Sequence, residues 1–306
     1  MTTFIQTLLN TLAVGGVYAL VALGYTMVYG VLKFINFAHA NVIMVGGWTS
    51  FLIAKQAGWT DPETAPYFAL PLVLLLTMAV CAALGVAIEF LAYRPLRHAP
   101  RINILITAIG VSIFLQNAAQ LDWIFGTSPV GRLPLIPDRT VLTIQGVHLQ
   151  LLDTVIVGTT ITLMIALEFL VFRTPMGRAM RAVSWNTTNA SLMGISPNRT
   201  IAITFVIGSS LAAAAGVLLA LKYSVAAPGQ VIWVTYGLKS FVAAVVGGIG
   251  NVHGAVLGGF LIAAVENFGV TYIDGTWRDA YVFAVLIAVL LIRPSGILGK
   301  TSVEKL

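Results

Sequence analysis

Few residues of this chain are of types that do covalent chemistry, and those few are not spaced for it. The histidines His39, His98, His148 and His253 show no metal-ligand spacing. Cys81 is the only cysteine and lies inside an apolar run, so an intramolecular disulfide and a thiolate metal site are both excluded. No serine, histidine and aspartate share a context in which a nucleophile would meet its base. The tail Gly296-Ile-Leu-Gly-Lys-Thr301 echoes a phosphate loop, but the first glycine of G-x-x-x-x-G-K-[ST] falls on Pro294 and no strand precedes it. The expectation is therefore no metal, no cofactor, no nucleotide site and no catalytic centre.

The remaining candidates are polar residues embedded in apolar runs. Lys239 and Glu266 lie deep in theirs, where a charge is costly and marks function by default. They either pair with each other or line a passage, and neither belongs to a relay of spaced carboxylates such as a proton-driven carrier uses. Glu89 and Glu168 lie within a turn or two of arginines and read as ion pairs at helix ends. Asn36-Phe-Ala-His-Ala-Asn41 is a polar patch that opens an apolar run, near Gly24, Gly30, Gly46 and Gly47. Asn36, His39 and Asn41 either cap and pack a helix start or face a water-filled path.

The elements that hold these residues are membrane spans. Of the 306 residues 58% are hydrophobic and 9% charged, whereas soluble domains carry about 25% charged residues. The net charge of +6 is spread through short loops rather than clustered with aromatics, which argues against nucleic acid. A span takes roughly 20 mostly apolar residues, and the candidates are Ile5–Val31, Phe34–Ala54, Tyr67–Ala92, Ile102–Trp123, Leu151–Phe172, Ile201–Leu221, Val231–Ile249, Val252–Tyr272 and Ala280–Ile292. The last is short, so its outer end should include Trp277. Val231–Ile249 is the weakest span, interrupted by Lys239 and ended by Gly247, Gly248 and Gly250. The expected fold is all-α, a polytopic bundle of eight to nine spans forming one membrane domain over residues 1–306. The first apolar stretch has no basic residue ahead of it and is expected to be retained as a helix rather than cleaved as a signal peptide.

Orientation follows from Lys and Arg, which accumulate in cytoplasmic loops. Arg94, Arg97 and Arg101 share one connection, and Arg173, Arg178, Arg181 and Arg199 share another. Neither connection contains an acidic residue. Both are expected inside, with the tail carrying Arg293, Lys300 and Lys305, while the N-terminus and the loop around 124–150 lie outside. Within that loop Val141 to Gln150 alternates around Gln145-Gly146, the pattern of a small hairpin. Three sequons, at Asn186, Asn189 and Asn198, fall on the inner side, where glycosylation does not occur. Glu89-Phe-Leu-Ala-Tyr-Arg94 and Glu168-Phe-Leu-Val-Phe-Arg173 are similar helix ends, a hint of duplicated halves too short to establish them.

The inner connection around 174–196 is long for a turn and is not low-complexity. Gly177-Arg-Ala-Met-Arg-Ala-Val183 and Ala190-Ser-Leu-Met-Gly-Ile195 place small and apolar residues at helical spacing beside arginines. The expectation is one short amphipathic helix ended by Gly194. Such a helix either rests on anionic membrane lipid or receives a protein partner.

The whole chain resembles the LivH-like permease subunits of bacterial branched-chain amino acid ABC importers. The resemblance is carried by Gly24-Tyr-Thr-Met-Val-Tyr-Gly30, Ile35-Asn-Phe-Ala-His39, Tyr93-Arg-Pro-Leu-Arg97, the 177–182 and 190–195 segments, and Val246-Gly-Gly-Ile-Gly250. It implies a non-enzymatic permease in the bacterial inner membrane, with Gly177, Arg178, Arg181, Ala182, Ala190, Gly194 and Ile195 coupling it to cytoplasmic ATP-binding subunits. It also implies a second, identical or related permease subunit and a periplasmic binding protein that delivers the amino acid. Ala40 and Asn41 stand where the family commonly has glycine and an acidic residue. That departure keeps importers of urea or short-chain amides open as an alternative, and the Lys239 and Glu266 pair keeps open a stand-alone carrier or channel.

Overall fold

The computed structural model describes residues 1–97, 99–144 and 146–299, with the side chain of Arg101 outside that set. Expectations placed on His98, Gln145, Lys300, Thr301 and Lys305 fall outside the described residues. The helices, in chain order, are α1 (Thr2–Leu32), α2 (His39–Gln56), α3 (Ala69–Ile88), α4 (Arg101–Ala119), α5 (Leu151–Arg173), α6 (Pro175–Trp185), α7 (Thr187–Leu192), α8 (Pro197–Lys222), α9 (Val231–Gly247), α10 (Val252–Tyr272) and α11 (Arg278–Ile292). Between α4 and α5 the strands β1 (Thr140–Ile144) and β2 (Val147–Gln150) pair antiparallel, with Ile144 opposite Val147 across the turn. Among the described residues, seven helices are long and apolar enough to cross a bilayer: α1, α3, α4, α5, α8, α10 and α11, counting the extensions of α3 and α11.

The bundle has two ends. Lys33, Arg97, α6 and α7 mark the basic end, where Arg97 reaches Asn198 at the start of α8. The strands mark the hairpin end, where Gln6 of α1 bonds the backbone of His148 in both directions. α9 has only 17 residues, yet it runs between the same two ends as α10. Its last carbonyls, which no helical N–H can reach, accept instead from the tail: Ile297 N–H to Val246 at 2.8 Å and Leu298 N–H to Gly247 at 2.9 Å.

Two span boundaries differ from the sequence reading for a local reason, and a third agrees with it. The second span begins at His39, not Phe34, because Lys33 turns left-handed (φ 58°) and the Asn36 side chain accepts the Ala38 N–H at 3.1 Å. A local Asx turn thus wins over helix across 34–38. The third span does not stop as a plain helix: it passes into a π turn, Glu89–Tyr93, and a 3-10 turn, Arg94–Leu96. Pro95 within that turn has no N–H to continue an α-helix. At the last span, the 3-10 turn Gly275–Trp277 leads into α11, so Trp277 does extend its N-terminal end, as expected. Asp274 caps this turn, and the Thr276 backbone N–H holds its carboxyl below the ordinary range.

α1 and α8 are buried along most of their length and form the centre, while α4 and α11 expose most of their surface. α1 packs on α10, α8, α9 and α5, and α8 packs on α2 and α3 as well. Lipid gives helices no hydrophobic reason to associate, so close backbone approach through small residues must hold them. Gly216 of α8 lies against the Ile43 carbonyl and the Gly47 nitrogen of α2, and Gly258 of α10 against the Ala243 carbonyl of α9. Neither position has room for a Cβ.

Gly216→Leu should therefore destabilise the bundle by about 1–3 kcal/mol or more, read as a lowered midpoint of detergent-induced unfolding. Gly110→Leu, at a site on α4 with open space around it, should change the midpoint little. Equal effects of the two would contradict the packing described.

Candidate functional site

The connection around 174–196 is two helices rather than the single one expected. Thr174 caps α6 by accepting the Gly177 N–H, and Asn186 closes α6 and opens α7, its side chain accepting the Asn189 N–H at 2.9 Å. One asparagine with extended backbone thus makes an elbow. Gly194 ends the second helix in the left-handed region (φ 79°), and the Ile195 N–H returns to the Ala190 carbonyl.

α6 is seated firmly on α5. Gly177 is buried against the Val171 and Leu170 carbonyls, with no space for any side chain. Arg181 donates to the Val171 carbonyl, and its guanidinium lies 5.8 Å from the centre of the Phe172 ring. Met180, Val183 and Ala190 are buried and Ala182 and Ile195 half-buried, while Arg178 and Gly194 are exposed. Three large apolar side chains point the other way: Trp185 is 92% exposed, Leu192 80% and Met193 83%. The arrangement is a rigid elbow with a bare apolar tip.

The polar patch at the start of α2 is buried inside the bundle. Asn36 accepts from the Tyr93 hydroxyl at 2.7 Å, so the π turn of α3 and the turn before α2 are tied together. His39 fills the space beside Gly24, with its ring centre 4.5 Å from that of Tyr25. Asn41 donates to the Ser112 hydroxyl at 2.6 Å and to the Ser112 carbonyl at 3.0 Å, linking α2 to α4. A cavity of about 180 Å³ opens beside these residues, lined by Tyr25, Phe37, Ala40, Ser112 and Phe241 among others.

Lys239 and Glu266 pair with each other, one of the two readings the sequence left open, and they line a cavity. Lys239 Nζ lies 2.9 Å from Glu266 Oε1 and 2.7 Å from Asp279 Oδ1. Arg278 Nε lies 2.6 Å from the same Glu266 oxygen, and Tyr18 donates to the other at 2.8 Å. Four helices, α1, α9, α10 and α11, converge on one carboxylate. The network forms one wall of a cavity of about 510 Å³ at the hairpin end. Lys222, paired with Asp153 of α5, lies on the same cavity.

Tyr18, Arg278 and Asp279 were missed in the sequence. The available signal was the Arg278-Asp279 doublet set directly before the last apolar run. Glu89 forms the expected ion pair, with Arg97. Glu168 instead faces His253 at 3.5 Å, so the two similar helix ends are used differently.

Removing one partner of a buried ion pair leaves the other uncompensated, at about 3–5 kcal/mol. Glu266→Leu takes the counter-ion from Arg278 and one of two from Lys239, which keeps only the half-exposed Asp279, and should show most of that loss in detergent-induced unfolding. Lys239→Met leaves Glu266 with Arg278 and Tyr18 and should cost less than half as much. The reverse order would contradict the assignment of Glu266 as the shared centre.

Comparison with known proteins finds relatives along nearly the whole chain. The family described as "Branched-chain amino acid transport system / permease component" matches residues 7–290. The chain is 42% identical over 306 residues to the high-affinity branched-chain amino acid transport system permease protein BraD of Pseudomonas aeruginosa, covering 99% of this chain and 98% of the relative. It is 40% identical over 305 residues to the permease protein LivH of the same kind of system in Escherichia coli, covering 99% and 97%. Likeness to a chain of PsaBC from Streptococcus pneumoniae in complex with Fab is loose, with TM-score 0.47 and 12% identity over 96% of this chain and 93% of that one. A multi-pass helical bundle with a seated elbow at its basic end, matched along nearly its whole length, places the chain in the branched-chain amino acid transport system permease family.

Proposed function

We propose that this chain is a membrane-spanning subunit of an ATP-driven importer in the bacterial inner membrane, moving branched-chain or other apolar amino acids handed over by a periplasmic binding protein. The single observation that carries the reading is the α6–α7 elbow, fixed to the bundle on one side and bare and apolar on the other. An exposed apolar tip on a polar loop is the mark of a docking surface, and cytoplasmic ATP-binding subunits are its occupants here. A second permease, identical or related, stands beside this one.

Orientation rests on charge. Arg94, Arg97, Arg173, Arg178, Arg181 and Arg199 gather at the basic end, whereas the basic residues of the hairpin end are matched by acids such as Asp138, Glu63 and Asp153. The basic end, with the chain's tail, is cytoplasmic.

The mechanism is a shift between two arrangements of one bundle, with no covalent step in this chain. ATP binding draws the partner subunits together and displaces the elbow. Because Gly177 and Arg181 lock α6 to the end of α5, and α6 also packs on α1 and α8, the displacement passes into the central helices. α1 carries it to the hairpin end, where Tyr18 holds the charge network. Asn36, His39 and Asn41 at the start of α2, and Lys239 and Glu266 at the cavity, are the pathway residues.

Two experiments test this. Tagged chain drawn from native membranes should bring with it an ATP-binding subunit and a permease; a chain that purifies folded and alone would favour the stand-alone carrier that the cavity of Lys239 and Glu266 also suits. Gly194→Arg should abolish uptake in vesicles while ATP hydrolysis continues, since a long cation on a left-handed residue disturbs the tip and touches nothing in the bundle. Undiminished uptake would remove the elbow from the mechanism.

A further inference from the structure

The cavity at the hairpin end has an unusual division of labour. Much of its lining is apolar or aromatic, including Val14, Val17, Leu218, Ile232, Trp233 and Tyr236. Its polar wall carries a network of two cations and two anions, and beside it Lys222, which Asp153 of α5 neutralises. The four groups of the network differ in depth: the side chains of Glu266 and Lys239 are 1% and 5% exposed, those of Arg278 and Asp279 48% and 60%. Glu266 and Lys239 make a buried floor, and Arg278 and Asp279 a rim at the start of α11. Each rim residue is crossed onto the floor residue of opposite sign, Asp279 onto Lys239 and Arg278 onto Glu266.

We propose that this cavity is a binding subsite for the zwitterionic head of an α-amino acid, with Arg278 and Asp279 as its displaceable plug. The inference rests on the importer reading for the class of solute and goes beyond it in assigning the site and its chemistry. The solute carboxylate takes the place of the Asp279 carboxylate on Lys239, and the solute ammonium takes the place of the Arg278 guanidinium on Glu266. The released rim pair turns to the water it already touches.

Charge bookkeeping decides why a zwitterion binds more tightly than its singly charged analogues. Every ion pair broken on the floor is replaced by one of the same sign, so no unpaired charge is left buried. A carboxylate without an ammonium takes only the Lys239 place and leaves Arg278 on Glu266, and an ammonium without a carboxylate takes only the Glu266 place and leaves Asp279 on Lys239, so each gains one of the two ion pairs a zwitterion makes. The apolar wall receives the side chain, and a volume of about 510 Å³ lies within the range of small-molecule pockets.

The test uses the full chain with its co-purifying subunits in lipid nanodiscs, without binding protein, and measures equilibrium binding near neutral pH of labelled leucine against leucinamide and 4-methylpentanoate. Leucine should bind at least about tenfold tighter than either analogue, the worth of one charged hydrogen-bonding group. Asp279→Asn removes the internal competitor for Lys239 and should shift selectivity toward 4-methylpentanoate. Arg278→Gln should shift it toward leucinamide. Both substitutions fall on the half-exposed rim, and size-exclusion profiles confirm that the complexes stay assembled.

A purely structural clamp predicts no saturable leucine binding, or a selectivity that neither substitution moves; either result overturns the subsite. ATP-driven leucine uptake by the same complex, once binding protein is added, separates the two readings. Uptake with unmoved selectivity rejects the subsite and leaves the importer standing, whereas absence of leucine uptake rejects the importer assignment on which the subsite rests.

Discussion

A carboxylate buried in a bundle that lies in lipid must be neutralised where it stands, because moving it into water means unfolding the helix that bears it. Glu266 meets that constraint with three donors from three other helices: Tyr18 of α1, Lys239 of α9 and Arg278 of α11. The positions of α1, α9 and α11 around α10 are therefore set by one side chain as much as by packing. α11 in particular exposes most of its surface, and its ion pairs to the floor of the cavity fix where its N-terminal end sits.

The same central helix joins the two regions where function is placed. α1 touches the α6 elbow near the basic end and the charge network near the hairpin end. Its contacts with α8 and α10 run through residues too small to yield: Gly24 faces the Gly208 carbonyl, and Gly259 of α10 faces the backbone of Ala19. Interfaces of this kind slide or tilt as units rather than deform locally. A push on the elbow thus has a physical route to the cavity, through backbone contact instead of a chain of flexible side chains.

Much of this was legible in the sequence, for identifiable reasons. Val252–Tyr272 was read to the residue because an apolar run follows Asn251, whose side chain caps the helix by accepting the His253 and Gly254 N–H groups. The hairpin was readable from alternation around a glycine that adopts φ 81°. The start of α2 was misread because the hydropathy of Phe34 to Ala38 does not reveal that Asn36 bonds its own neighbour's backbone. The elbow at Asn186 was hidden for a similar reason: one residue serves as the end of α6 and the cap of α7, and only its backbone angles distinguish that from a continuous helix. Arg278 and Asp279 escaped because their partners lie on α9 and α10, and a residue in the first turn of a helix becomes a site residue only once the helices are assembled.

The central claim is that this chain moves solute only when driven through its elbow. It is tested most directly in proteoliposomes holding either the chain alone or the chain with its co-purified subunits, with labelled leucine and binding protein on the hairpin side and ATP on the basic side. The account predicts accumulation by the assembled complex that stops when ATP is withheld, and no flux through the folded chain alone. Equilibration of leucine by the chain alone, indifferent to ATP, would contradict it and make the charged cavity part of a self-sufficient carrier.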